Sequence, residues 1–406
     1  MKLNHGLHLA YCTNIHRGET WCETFAALKT HALAVREKVC PQKPFAIGLR
    51  LSNRAAVELS EPETLLEFQR WLEKNSCYVF TINGFPYGQF HGTRVKEQVY
   101  RPDWTSPERL AYTNLLFDLL AKLLPVGVEG SISTVPGSFK EFVAASRQSA
   151  AYSNGRNETA LCRDAATQIR ENVWRCVEHI ARVSGKSKCQ LHLGLEPEPL
   201  GLLENSAETI RFFEQLHAEH PKDPRLDEHL GVNYDCCHFA IEYEEPHEAI
   251  AALQHAGIKI SKLHLSSALK TKPTAEARAA LKHFADDVYL HQVIARDETG
   301  KLKFFRDLSD ALSDHASRIT HHATEWRIHF HVPLHAPAAP PFANTNDHLL
   351  GVLDLLAANP KLCSHLEMET YTWEVLPLEL KSRSVVEQLV AEYDWTLARL
   401  AERGLA

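Results

Sequence analysis

The sequence predicts an α/β fold, a (β/α)8 TIM barrel with an inserted hairpin and strand segment after the seventh strand. Three observations carry that prediction. Eight short apolar runs alternate with longer helix-like stretches, the pattern of parallel strands joined by helical crossovers. The later runs end in acidic residues or histidine, where a parallel barrel presents its functional groups. No GxGxxG follows the first run, which weighs against an open dinucleotide-binding sheet.

The strands are expected at 7–14, 45–52, 78–83, 130–135, 190–196, 230–235, 258–265 and 365–370. Helices are expected at 20–39, 62–75, 107–124, 163–184, 206–220, 246–256 and 384–402. The first carries Trp21, Phe25, Leu28, Ala32, Val35 and Val39 at helical spacing. Ser60 is the expected N-cap of the second, just ahead of Pro62. Residues 1–406 read as one barrel domain interrupted at about 266–364. The interruption holds a hairpin, 288–295 and 301–305, turning at Asp297-Glu298-Thr299-Gly300, and an extra strand at 326–333. Pro333, Pro337, Pro340 and Pro341 mark a loop that no helix or inner strand tolerates.

At 44 % hydrophobic residues the 406-residue chain has material for a large core, and disorder is excluded as its main character. Its charge, 44 − 51 = −7, offers no broad attraction to a phosphate backbone, so nucleic acid is not expected as a partner. No run of 18 apolar residues exists, so no membrane segment is expected, and the first residues lack a secretory signal. Ten cysteines without a CxxC pair read as reduced, buried thiols of a cytoplasmic protein. The 24 histidines are numerous for this length, and several interrupt strand-like segments.

Polar residues break the apolar runs at their C-terminal ends. The fifth run reaches Glu196-Pro197-Glu198, the sixth Asp235-Cys236-Cys237-His238, the seventh His264, and the eighth Glu367-Met368-Glu369. Glu196, Asp235, His264 and Glu369 would repel or waste one another at a barrel mouth unless a cation sat between them. Three carboxylates and an imidazole suit one divalent ion: Mn²⁺, Mg²⁺, Co²⁺ or Zn²⁺. Strand alternation pairs Glu196 with Glu198 and Glu367 with Glu369 on one face. Glu196 and Glu369 are the preferred ligands, and Glu198 and Glu367 either meet substrate or pair with a base. The competing explanation is that these carboxylates cap helices or pair with Lys262 and Arg327. It suits any one of them better than all four.

These residues resemble the xylose-isomerase-like barrel superfamily of sugar isomerases, ketose 3-epimerases and the endonuclease IV group. Leu195-Glu196-Pro197-Glu198-Pro199 resembles its fifth-strand metal motif, and Asp235 with His238 its sixth-strand pair. His264 and Glu369 resemble the remaining ligands of the epimerase branch. Over most of the chain the sequence is similar to the metabolite traffic protein EboE family. The strings that carry this are Tyr11-Cys12-Thr13-Asn14-Ile15-His16, Gly48-Leu49-Arg50-Leu51-Ser52 and Asn83-Gly84-Phe85-Pro86-Tyr87-Gly88. Val95-Lys96-Glu97-Gln98-Val99-Tyr100, the run from Gly130 to Lys140, His329-Phe330-His331-Val332-Pro333 and Glu369-Thr370-Tyr371-Thr372-Trp373 extend it. Membership implies a bacterial operon linked to moving a metabolite precursor out of the cytoplasm, and names no reaction.

The chemistry expected is metal-assisted isomerisation or epimerisation of a small polyol, sugar, sugar phosphate or cyclitol, with Glu196 and Glu369 as ligand and base in turn. His238 would hold substrate oxygens or complete the metal shell. Asn83, Tyr87, His91, Trp104 and Lys140, from loops after earlier strands, would form the substrate wall, together with Arg327 and His331 from the insertion. For Trp104 packing on the barrel is an equal explanation, and for Lys140 turn chemistry around Pro136-Gly137 is. Two alternatives stand beside this one: a metal-dependent phosphodiesterase using more than one ion, and a metabolite-binding protein without catalysis. Self-association as a homo-oligomer is compatible with such a barrel.

Overall fold

The computed structural model describes residues 1–85, 96, 100–144, 164–285, 290–314, 323–337, 339–370 and 384–406. Seven strands open the fold: β1 (His8–Cys12), β2 (Phe45–Arg50), β3 (Cys77–Asn83), β4 (Gly130–Thr134), β5 (Leu191–Leu195), β6 (Leu230–Asp235) and β7 (Lys259–Leu265). Five more follow: β8 (Ala268–Thr271), β9 (Val293–Asp297), β10 (Leu302–Phe305), β11 (Ala323–His331) and β12 (Phe342–Asn344). They form a separate antiparallel sheet in the order β10-β9-β11-β8-β12. β13 (His365–Met368) then returns between β7 and β1 and closes an eight-stranded parallel barrel. The barrel fold expected from the sequence is the fold observed.

β1, β2, β4, β5, β6 and β13 are buried at every residue, because helices cover one face of a parallel barrel and the packed axis the other. Helices lie where their caps and periodicity place them. Thr20 and Glu23 form a capping box, and the helical run continues to Val39 through a π-turn at Leu28–Ala32. Ser384 and Glu387 form another capping box, at the helix Val385–Ala401. The cap expected at Ser60 moves by one residue. Ser60 ends a preceding helix, Asn53–Ser60, and Glu61 stands at the N-cap of Pro62–Lys74. That preceding helix is short and polar on most of its surface, so the apolar pattern did not reveal it.

The hairpin β9–β10 pairs antiparallel as its turn chemistry predicts. β8, β12 and the helices Ala275–Leu281 and Asn346–Ala358 were not anticipated. The appended sheet has its own apolar core, in which Trp326, Ile328 and Phe330 of β11 pack with Leu281, Phe284, Val293 and Leu308. The alternate residues of β11, His329 and His331, point the other way. Both rings stand beside His238 of the barrel, at centroid distances of 4.7 and 5.5 Å.

Candidate metal centre

Glu196 follows β5, Asp235 ends β6, His264 lies near the end of β7 and Glu369 follows β13. Barrel closure brings these four buried side chains together, with one ligating atom from each within 4.8 Å of the others. His264 Nδ1 is the hub, at 2.9 Å from Glu369 Oε2, 3.1 Å from Glu196 Oε1 and 3.3 Å from Asp235 Oδ2. Asn14, in the turn that follows β1, donates to Glu369 Oε1 at 2.7 Å. Asp235 Oδ1 accepts from the His238 backbone N–H at 3.0 Å and the Ser266 hydroxyl at 2.8 Å. That leaves Asp235 Oδ2 and Glu196 Oε2 buried without a hydrogen bond among the described residues.

The electrostatics follow from three acids in a dry site. Burial alone would keep the His264 ring neutral, but Glu369 and Glu196 outweigh it and hold its pKa well above the usual value. Burial likewise opposes ionisation of Asp235, yet His238 and His264 together keep its pKa well below the carboxylate range. Burial pushes the Glu198 carboxyl up to about 8, with Glu196 adding to the shift and His238 opposing it. Such a set of acidic oxygens and one imidazole is the donor chemistry of a divalent cation, and two buried carboxylate oxygens are in place without a hydrogen bond among the described residues.

Beneath this layer lies a second polar one. Glu367 Oε2 accepts from Lys262 Nζ at 2.8 Å and lies 3.2 Å from His264 Nε2, while its Oε1 accepts from Asn83 Nδ2 at 3.0 Å. Lys262 Nζ also donates to Asn83 Oδ1 at 2.6 Å and Ser133 Oγ at 3.0 Å. The structure therefore places Glu367 and Asn83 inside the barrel rather than on a substrate wall. Glu367 serves as the base-paired carboxylate behind His264, fixing the ring so that Nδ1 faces the mouth.

The other expected site residues divide. His238 donates Nδ1–H to Pro197 O at 3.0 Å, with its Nε2 3.9 Å from Asp235 Oδ1. His331 donates Nδ1–H to Glu369 O at 3.1 Å, so it sits at the centre. Trp104 does not form an open stacking face: it is fully buried and its indole N–H donates to Thr134 Oγ1 at 3.1 Å. Lys140 pairs with Glu204 and Glu208. Arg327 pairs with Glu325 at 2.9 Å and lies over the Tyr243 ring. Tyr87 and His91 lie outside the described residues. Sequence reasoning gave no site role to Asn14, Ser266 or His329, although Asn14 follows the first strand just as Glu369 follows the last.

Among solved structures the chain resembles a xylose isomerase-like TIM barrel protein from Mycobacterium smegmatis in complex with magnesium. The two are 12 % identical over 99 % of each chain, with a TM-score of 0.51. The chain has the (β/α)8 TIM barrel fold. A D-tagatose 3-epimerase-like protein matches at 11 % identity over 97 % of this chain and 99 % of its own, with a TM-score of 0.46. The IOLI protein with a bound zinc atom matches at 9 % identity over 97 % and 98 %, with a TM-score of 0.48. At such identities the likeness is one of fold. No protein-family model matches the chain, and no curated protein matches it.

Proposed function

We propose that this chain is a divalent-metal-dependent isomerase or epimerase acting on a small sugar, sugar phosphate or cyclitol. The observation that carries the reading is the convergence of Glu196, Asp235 and Glu369 on His264 Nδ1, with two carboxylate oxygens buried and unbonded. These four residues would hold one Mn²⁺, Mg²⁺, Co²⁺ or Zn²⁺. A cation there supplies Lewis-acid polarisation of adjacent carbonyl and hydroxyl oxygens. The magnesium complex of the Mycobacterium smegmatis barrel is in keeping with that expectation.

The chain's own groups do the rest. Glu196 and Glu369 approach His264 from strands separated around the barrel, so either carboxylate is placed to take a carbon-bound proton and return it to a neighbouring carbon or the opposite face. Glu198, protonated near neutral pH, is placed to donate to a substrate oxygen. His238 and His331, both buried beside Asp235 and Glu369, are placed to meet substrate oxygens. The finer assignment, to the EboE family and a cytoplasmic step of a metabolite-export-linked pathway, rests on the sequence strings quoted above.

The test is solvent-deuterium exchange into candidate ketoses and inososes with Mn²⁺ present. Label at a carbon next to the carbonyl, lost in Glu196→Gln and Glu369→Gln, is the expected result. Full exchange in both variants overturns the reading, and a metabolite-binding protein without catalysis would exchange nothing.

One observation favours a second reading, a metal-dependent phosphodiesterase. Asp235, His238 and His331 form a further buried group with ligating atoms within 4.8 Å, and it shares Asp235 with the first. Two adjacent ions are what in-line phosphoryl displacement uses. One ion lost in Glu369→Gln and another lost in His331→Gln would move the assignment to hydrolysis.

A further inference from the structure

At the opposite end of the barrel a second group of ligating side chains converges, remote from the mouth. Glu129 precedes β4, His192 lies near the start of β5, and His365 begins β13. One ligating atom from each lies within 4.8 Å of the others. The two imidazoles are buried, their centroids 5.2 Å apart. Glu129 is 43 % exposed and reaches in from outside, its Oε2 3.6 Å from His192 Nε2.

The tautomer of His365 can be read from its bonds. Ser131 Oγ donates to Thr81 Oγ1 at 2.8 Å, so it accepts from His365 Nδ1, 2.8 Å away. His365 therefore carries its proton on Nδ1, and Nε2 bears the lone pair. His192 Nδ1 meets the Ser261 hydroxyl, and its Nε2 faces Glu129 Oε2, the nitrogen a cation would share with that carboxylate once its proton is released. A ring fixed through one nitrogen with the other left as a lone pair is how imidazole is presented to a metal.

We propose that Glu129, His192 and His365 form a floor site for a borderline divalent cation, zinc above all, distinct from the centre at the mouth. Two imidazoles, one carboxylate and an open position match zinc's preference, whereas the acid-rich mouth suits harder ions as well. The layer of Lys262, Glu367, Asn83 and Ser133 separates the two. Strands β4 and β5 are not neighbours of β13, so an ion on the floor ties opposite walls of the barrel together. Its effect falls on stability, in keeping with the N-terminal face of such barrels. Lys259 beside Glu129 is the charge that opposes binding.

The experiment is equilibrium dialysis of the full chain against Zn²⁺ with elemental analysis, in a mouth-disabled variant, Glu196→Gln/Asp235→Asn. That variant is expected to retain one zinc and to melt at a higher temperature with zinc than with chelator. Adding Glu129→Gln, a change at a half-exposed residue that folding tolerates, is expected to weaken that binding about 10–100-fold and to erase the thermal shift. Anomalous scattering at the zinc edge should place the ion between His192 and His365. A mouth-disabled variant that binds no zinc, or one whose binding Glu129→Gln leaves unchanged, overturns the proposal.

Discussion

Replacing Gly48 by alanine adds one methyl group where β2 faces Glu367 inside the barrel. A Cβ built there would lie 1.8 Å from Glu367 Oε1 and 2.7 Å from Glu367 Cδ. Glu367 has no room to yield, since Lys262, Asn83 and His264 engage its two oxygens. Shifting it strains a buried ion pair whose disruption costs ~3–5 kcal/mol, on top of overpacking at ~1–3 kcal/mol. Partial relaxation puts the net effect of Gly48→Ala near ~3 kcal/mol of destabilisation. An unfolding entropy of about 2.1 cal/mol/K per residue over 406 residues gives ~0.85 kcal/mol/K, so Tm should fall by about 3–4 °C. Because Glu367 also fixes His264, Mn²⁺ affinity at the mouth should drop about 10–100-fold. Calorimetry and metal titration read both effects. Gly185→Ala is the control: it lies in the helix Ala165–Ser187 with nothing within 4 Å of the added carbon, and should stabilise by ~0.5–1 kcal/mol. A Gly48→Ala protein with unchanged Tm and unchanged Mn²⁺ affinity would refute the two-layer account of the interior.

Saturating Mn²⁺, at about 1,000 times its dissociation constant, should stabilise the wild type by ~4 kcal/mol relative to chelator, and thermal melts of Asp235→Asn should show no such gain. Burial pushes the Glu242 carboxyl from 4.5 up to about 9, with Glu204 adding to it. A raised folded pKa means the stabilising form is complete below pH 4.5 and is lost as pH climbs toward 9. Glu242→Gln should therefore be more stable than wild type by ~3 kcal/mol at pH 7, with the gap closing near pH 4.5 in a pH series of urea titrations. Trp104→Ala should lose ~3–5 kcal/mol in the same titration, as a core residue does and as an open substrate platform would not.

The barrel was legible because its signal is repeated: eight apolar runs, each ending where the next helix begins, leave few other topologies. The convergence of four polar side chains was legible for a related reason. Glu196, Asp235, His264 and Glu369 interrupt otherwise apolar strands, and only a shared purpose makes such interruptions tolerable. Which glutamate of each pair faces the mouth was less legible, since alternation puts Glu367 and Glu369 on one face and cannot tell depth. Depth came from Lys262, whose ammonium claims Glu367 one layer below. For Trp104 a loop position left stacking and packing both open, and the structure decides for packing, since Thr134 and the surrounding core enclose it. β8 and β12 were missed because strands of four and three residues carry too little periodicity to detect.

Along β11, neighbouring residues answer to two environments. Trp326, Ile328 and Phe330 anchor the appended sheet, while His329 and His331 turn toward His238. A lesion in that satellite interior, such as truncating Phe330, would reposition two imidazoles without altering any stave of the cylinder. The surroundings of His238 can therefore drift through changes in an accessory module while the barrel that gathers Glu196, Asp235, His264 and Glu369 stays as it is.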